Sequence, residues 1–413
     1  MFKKLMGEKI YCGLDIGSQR VKAGVLKVKD VKEVELLGVY ENKVHGYRDG
    51  AVIDLGELSE CVHAALTGLS QTVGVKIKDV QVGVSGDLVE TRRTEALIPL
   101  TDKGGKVIDR RDIKQVNTQV RLLAVRMEED VLHDFPQSYQ VDDVLGVVNP
   151  VGLLGRKLGV QSLMIVAPTI RLNNLRKAVH QAGFDVARLS FSSYGSSEVS
   201  LEDKDRQEGC VLIDSGAKLT NYLIFKDKIC RAIGKINIGG DHLTRSIADR
   251  FNLSFDLAED IKKSHAGALG LEPHPQEEVL VKRENSYAPI KKEAICQAME
   301  SDIVSFVDKI SSAIKESGLG GQIRRGIIVT GGGSLLTGLM ERVEQGTGFP
   351  VRLAKLNLTS QKDLGNAALF SSVVGLANNG FKESFTFSVT SQSQANWFKY
   401  MTSNARELYQ EYF

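Results

Sequence analysis

Three short stretches of this 413-residue chain put carboxylates and glycines where they can handle phosphate: Asp15-Ile16-Gly17, Asp214-Ser215-Gly216 and Gly331-Gly332-Gly333. Each follows an apolar, β-branched run, so each is expected at the end of a strand. Glycine at such a point lets backbone N–H groups approach phosphate oxygens, and the aspartate two residues earlier can hold the water shell of a magnesium ion. A glycine-only turn that opens a helix can lie flat against a nucleoside, where any Cβ would push the base away. Taken singly, each motif is an ordinary strand-ending turn, because Asp and Gly accept turn geometry in any fold. The order is what carries weight: two Asp-x-Gly turns facing each other across a cleft, and a third turn for the nucleoside.

The elements around these turns repeat. "KIYCGLDIGSQRVKAGVLKVKD" reads as strand, tight turn, strand; "EVELLGVYENKV" adds a third strand and "LSECVHAALTGLSQTV" a helix. From residue 209, "EGCVLIDSGAKLTNYLIFKDKICRAIGKINIGG" and then "DHLTRSIADRFN" follow the same order, and "GIIVTGGGSLLTGLMERVEQ" runs from a buried strand through the glycines into a helix. The chain therefore reads as two related lobes. The ordered triple resembles the ATP-binding fold shared by actin, the seventy-kilodalton chaperones and sugar kinases, a two-lobed α/β actin-like (ribonuclease H-like) fold.

Composition excludes several classes. The 42% hydrophobic and 25% charged residues describe a globular chain of more than one domain, and 53 basic against 51 acidic residues leave no field for nucleic acid. Cys12, Cys61, Cys210, Cys230 and Cys296 are widely spaced with no C-x-x-C, which predicts reduced, buried thiols and no zinc site. "MFKKLMGEKI" lacks the apolar core of a signal peptide, and no apolar run is long enough to cross a bilayer, so a cytoplasmic protein is expected.

Residues 85–166 are expected to form a small βαββ-like unit inserted in the first lobe, with its helix in "RRDIKQVNTQVRLLAV". Here "VLHDFPQSYQVDD", followed by "NPVGLLGRKL", resembles the signature of the FtsA family, bacterial cell-division actin homologues, whose 1C subdomain has V-L-H-x-I-P-x-x-Y and N-P-x-G-L-x-G at this spacing. "INIGGDHLTRSIADRF" and "AEDIKKSHAGAL" are similar to two further family motifs, and the resemblance covers essentially the whole chain. His133, Pro136, Asn149 and Pro150 in these motifs read as turn and strand packing.

The resemblance implies a protein that binds ATP with Mg2+, forms head-to-tail filaments, and ties the tubulin-like FtsZ ring to the inner face of the cell membrane at the division site, where later division proteins join. It divides the chain into a first lobe at 8–84 and 167–203 (1A), the 1C insertion at 85–166, a second lobe at 204–238 and 304–380 (2A) and subdomain 2B at 239–303. A linker at 381–395 and an amphipathic helix at 396–413 complete it. Asp15, Gly17, Ser18, Gln19 and Lys22 match the first phosphate hairpin, Gly332, Gly333, Ser334 and Leu335 the adenosine turn, and Asp15 and Asp214 hold magnesium through water. Gly240 adjoins the site, and the helical pair Glu259 and Lys262 reaches ribose and base.

Two departures qualify this. The family's second hairpin, D-x-G-G-G-T-x-D, here reads "DSGAKLTN": around Asp214 and Gly216, Ala217 and Lys218 replace glycines, Leu219 threonine and Asn221 aspartate. Losing a carboxylate at Asn221 weakens control of the attacking water, which predicts ATP binding with weak or negligible ATPase activity. Lys218 either places an ammonium on the β- or γ-phosphate or points to solvent; the sequence leaves both open. In the helix expected to hold the acidic FtsZ C-terminal peptide, Lys292, Ile295, Met299 and Glu300 are in place, but Asp302 stands where an arginine is usual. A like charge there costs roughly 1–3 kcal/mol. A pilus-assembly adaptor of the same fold and a sugar-kinase-type phosphotransferase are the alternatives.

The last stretch suits a lipid surface. "FKESFTFSVTSQSQA" reads as a polar linker spanning about 20 Å. On a helix beyond it, Trp397, Phe398, Met401, Ala405, Leu408, Tyr409 and Tyr412 share one face. Its charges cancel, so a single tail is expected to bind membrane weakly, on the order of 10⁴ M⁻¹, with many tails on one filament making attachment firm.

Overall fold

The computed structural model describes residues 8–30, 33–101, 104–269, 277–283, 286–358, 360–361 and 366–382. The membrane-helix residues Trp397, Phe398, Met401, Ala405, Leu408, Tyr409 and Tyr412 lie outside them, as does the linker beyond Lys382.

The first lobe is built on β1 (Lys9–Ile16), β2 (Arg20–Asp30), β3 (Glu33–Lys43), α1 (Leu55–Val73) and β4 (Asp79–Val84). The inserted unit follows as β5 (Glu90–Pro99), α2 (Arg110–Ala124), β6 (Glu129–Val141), β7 (Val144–Val147) and β8 (Lys157–Pro168), after which α3 (Thr169–Gln181), β9 (Asp185–Phe191) and α4 (Ser192–Ser200) complete the lobe. The second lobe has β10 (Cys210–Ser215), β11 (Thr220–Lys226), β12 (Ile229–Ile236), α5 (Gly240–Phe251), α6 (Phe255–His265), the hairpin β13 (Glu278–Arg283) and β14 (Ser286–Lys291), α7 (Lys292–Glu316), β15 (Ile327–Thr330), α8 (Leu339–Thr347) and β16 (Val351–Leu353).

The repeat seen in the sequence is a repeat of topology. The first sheet runs β9-β4-β1-β2-β3 and the second β16-β15-β10-β11-β12. With strands numbered within each lobe, both have the order 3-2-1-4-5, antiparallel through the hairpin and parallel beyond it. Parallel strands need covering on both faces, and the apolar side chains of α1 (Leu58, Val62, Leu66, Leu69) and α3 (Leu172, Leu175, Val179) supply part of that cover in the first lobe.

Two boundaries differ from expectation. From Leu356 the chain leaves the second lobe: 360–361 pairs with β3, and a helix over 371–382 buries Val373, Val374, Ala377 and Phe381 against Leu26, Leu36 and Val199 of the first lobe. The helix can seat there because position 13 is glycine; a Cβ would lie 2.0 Å from the Val373 carbonyl oxygen. Phe381 also packs edge-on to Tyr11, so Phe381 and Lys382 belong to this helix and not to the linker. In the second lobe α7 runs unbroken for 25 residues through the expected border at 303–304, because Ile295, Met299, Ile303, Phe306 and Ile310 form one continuous apolar face.

The inserted unit is an antiparallel sheet, β7-β6-β8-β5, with α2 on one face burying Val116, Val120 and Ala124. A capping box between Asp109 and Asp112 starts α2. His133 fastens the unit to the first lobe: its Nε2 accepts the Phe191 backbone N–H at 2.9 Å. Burial pushes its imidazole down to about 3, so the ring is neutral and can accept. The Asn149 side chain accepts the Val151 N–H in a turn, and Pro136 lies within β6, so the motif residues serve packing and turns. All five cysteines are buried free thiols.

Candidate functional site

The β1–β2 and β10–β11 turns are built alike. Asp15 lies opposite Lys22 and Asp214 opposite Asn221 in matching registers. The Gly17 N–H donates to the Arg20 carbonyl and the Gly216 N–H to the Leu219 carbonyl, each at 3.0 Å. Both tips face a cleft of about 640 Å³ between the lobes, within the size range of small-molecule sites. The third turn follows β15, where Gly331 adopts φ +83° and a Cβ on Gly333 would lie 2.2 Å from the Ser215 hydroxyl.

The structure brings nearly all the expected residues to this cleft. Asp15, Gly17, Ser18, Gln19, Lys22, Asp214, Gly216, Ala217, Lys218, Gly240, Glu259, Lys262, Gly332, Gly333 and Leu335 line it, and so does Asn221. Ser334 is a correction: it is buried, and its hydroxyl donates to the Gly331 carbonyl at 2.6 Å, closing the turn from behind. Lys218 neither floats in solvent nor points away; its ammonium lines the cleft and pairs with Asp49 of the first lobe at 2.5 Å.

Serines that the sequence reading passed over set the electrostatics. Helix α4 starts immediately after β9 and runs beneath both hairpins. Ser192 donates to Asp15 at 2.7 Å, Ser196 to Asp214 at 3.3 Å, and Ser193 accepts from the Asn221 amide at 2.9 Å. Ser372, on the returning helix, donates to the other oxygen of Asp15 at 2.7 Å. Burial raises the Asp214 carboxyl above the usual carboxylate range, the Ser193 hydroxyl holds it down in part, and the charge of Asp15 raises it further. The signal in the sequence is the run "SFSSYGSS" at the end of a strand, serines too many for an ordinary buried helix.

Two carboxylates, one at the tip of each hairpin and both lining the cleft, suit a divalent cation between phosphate and protein. Among the described residues no group of three or more His, Cys, Asp or Glu could hold a metal ion directly. Glu259 and Lys262 meet on α6, one turn apart. Lys262 donates to Glu259 at 2.7 Å, to the Gly240 carbonyl at 2.8 Å and to the Thr244 hydroxyl at 2.7 Å, so it fixes the start of α5 at the cleft wall. Burial works to raise the Glu259 carboxyl, but hydrogen bonds from Lys262 and Thr244 outweigh it and hold the group below its ordinary value.

The expected partner helix needs a larger correction. Ile295 and Met299 are fully buried in the core of the second lobe, so neither can meet a peptide at the surface. Lys292 pairs with Glu277 at 2.8 Å, Glu300 with Arg342, and Asp302 accepts the Ser246 hydroxyl at 2.5 Å. The apolar positions of that motif face inward because α7 is amphipathic and α5 packs against it.

Comparison with known proteins agrees with this architecture. The chain is 26% identical over 371 residues to the cell division protein FtsA of Streptococcus pneumoniae, covering 90% of this chain and 80% of that one. Among solved structures it is similar to a PilM–PilN type IV pilus biogenesis complex (TM-score 0.66, 16% identity, 90% of this chain and 98% of that one). It is also similar to MreB5 of Spiroplasma citri bound to ADP (TM-score 0.56, 13% identity, 92% and 98%). Residues 211–375 match the family of the cell division protein FtsA and residues 86–166 the SHS2 domain inserted in FtsA, together more than half of the chain. With an actin-like fold, and with that insertion at the end of β4, the chain belongs to the FtsA family of cell-division proteins.

Proposed function

We propose that this chain binds ATP with magnesium in the cleft, hydrolyses it slowly or not at all, assembles head to tail, and links the FtsZ ring to the cytoplasmic face of the membrane at the division site, where later division proteins join. One observation carries the nucleotide reading: two Asp-x-Gly hairpins of identical register, one per lobe, face each other across a cleft with a glycine turn at its wall. Asp15 and Asp214 would hold a magnesium ion through its water shell, and the ion would supply neutralisation of phosphate charge. Lys22, whose ammonium donates to the Leu369 carbonyl at 2.8 Å, lies beside Asp15 at the first hairpin, and Leu335 and Gly332 form the apolar wall for the base. The second hairpin presents an amide where hydrolysis needs a base, and Asn221 is committed to Ser193. Slow turnover follows from that.

Assembly through the inserted unit is consistent with its exposed Val144, Leu145, Val148 and Leu154. Unlike surfaces at the two ends of a lobe pair make an open, filamentous contact. Among the described residues no helix is long and apolar enough to cross a membrane. Attachment is assigned to residues 396–413 on their sequence pattern, in which Trp397, Phe398, Met401, Ala405, Leu408, Tyr409 and Tyr412 would share one helical face. The FtsZ peptide is assigned to the polar face of α7, without Ile295 or Met299.

The test is thermal unfolding with and without magnesium-ATP. A ligand bound only by the folded chain raises the melting temperature by mass action. Gly332→Trp is the control: its Cβ direction meets only Leu369 at 3.5 Å, so the fold accepts a side chain that fills the cleft. The parent should shift and the variant should not; an equal shift in both would place the nucleoside elsewhere.

A further inference from the structure

Beyond their glycines and aspartates, the two hairpins repeat a second feature. Gln19 and Lys218 each lie two residues after the turn glycine, and each crosses the cleft to an aspartate of the opposite lobe. Gln19 Nε2 donates to Asp241 Oδ1, and Lys218 Nζ donates to Asp49 Oδ1, both at 2.5 Å. Both acceptors follow the third strand of their lobe: Asp49 lies in the connection to the following helix, and Asp241 in the first turn of α5. Each lobe thus gives a side chain to the other and receives one.

Both acceptors are set in position by their own lobes. Asp49 (φ +50°) and Gly50 (φ +73°) form the two-residue tip of a small hairpin joining 47–48 to 51–52, the Asp-Gly pairing that such a turn favours. Asp241 is buried at the first turn of α5, where its N–H donates to the Ala217 carbonyl at 2.7 Å and so ties that helix to the second hairpin.

We propose that these contacts form a reciprocal latch that joins the two lobes across the cleft, and that nucleotide phosphates bind by competing with Asp49 for Lys218. The second half rests on the nucleotide reading above. The two arms differ in exchangeability. Asp49 is 67% exposed, so its ion pair with Lys218 is weak in water and easily replaced. A polyphosphate offers the ammonium more charge and more acceptors than one exposed carboxylate does. The Gln19–Asp241 arm is neutral on one side and buried on the other, and it keeps the lobes in register while the first arm changes partner. A glycine at position 218 would leave only the permanent arm.

The test uses the full-length protein with nitroxide labels on Lys177→Cys and Asp249→Cys, exposed sites on α3 and α5, the native thiols being buried. Pulsed spin–spin distances are measured first without nucleotide. The intact latch should give one narrow distribution, and Gln19→Ala with Lys218→Met should give a longer, broader one; an unchanged distribution overturns the latch. ATP affinity is measured second. Asp49→Asn frees the ammonium and should tighten ATP binding about two- to fivefold, while Lys218→Met should weaken it by a similar factor. Unchanged or weaker binding in Asp49→Asn overturns the exchange. If the parent itself fails to bind ATP, the nucleotide reading and the exchange fall together, whereas the nucleotide-free distances still decide the latch.

Discussion

The two phosphate hairpins share a backbone and differ in what faces the carboxylate. In the first, Asp15 lies across from Lys22 and takes hydrogen bonds from two serine hydroxyls, one on each oxygen. In the second, Asp214 lies across from the amide of Asn221, with the Ser193 hydroxyl beside it and the Ser196 hydroxyl at 3.3 Å. Glycine and register thus supply the same turn in both lobes, while the groups that face each carboxylate differ.

The largest effect should come from closing either turn. A Cβ on Gly17 would lie 3.1 Å from the Arg20 carbonyl, and one on Gly216 would lie 3.0 Å from the Leu219 carbonyl, so the two are equally tight. Gly17→Val and Gly216→Val should each weaken ATP by at least about 100-fold, read by calorimetric titration. If one variant binds normally, the equivalence of the hairpins is broken and phosphate is held by a single lobe.

A smaller effect separates the aspartates. Asp15→Asn and Asp214→Asn should both remove the magnesium dependence of ATP binding, but they should move the stability of the empty protein differently. Because the Asp214 carboxyl is raised in the folded state, the folded chain keeps a proton that the unfolded chain has lost. Stability therefore falls as pH climbs from the ordinary carboxylate value through the raised one, and above that the full penalty stands. At pH 7 Asp214→Asn should unfold at a higher urea concentration than the parent, with the gain fading towards about pH 4. Asp15→Asn replaces an oxygen that accepts from a serine by an amide NH2 and should unfold at a lower urea concentration than the parent. An Asp214→Asn gain that grows on acidification would contradict this assignment of strain.

How much of this was legible in the sequence depends on how far apart the partners lie. The strand-turn-strand-strand-helix order, both hairpins and the glycine turn rest on residues within about ten positions of each other, and the repeat made them readable. The return of 360–361 and 371–382 to the first lobe was not, because it depends on Gly13 meeting Val373 some 360 positions later. Ile295 and Met299 resemble a contact motif in sequence, yet their spacing is also that of a core stripe, and packing against α5 made them one. Asp49 looks like the tip of a surface hairpin until Lys218 arrives from the other lobe. The serines of α4 were missed because a buried, serine-rich helix has no apolar periodicity to announce it.

Those serines supply the smallest and sharpest comparison, since one short helix serves both hairpins. Ser192 donates to Asp15 at 2.7 Å, whereas Ser196 donates to Asp214 at 3.3 Å with a poorer share of the bond. Hydrogen bonds to a charged group contribute about 1.5–3 kcal/mol when short, so Ser192→Ala should cost the empty protein roughly 1–2 kcal/mol in urea unfolding and Ser196→Ala under about 1 kcal/mol. Removing Ser196 also leaves an already raised carboxyl less well solvated, so the cost of Ser196→Ala should shrink as pH is lowered and Asp214 takes up its proton. Equal costs at pH 7 would mean that Ser192 and Ser196 support their aspartates alike, leaving Lys22, Asn221, Ser193 and Ser372 to distinguish the two hairpins.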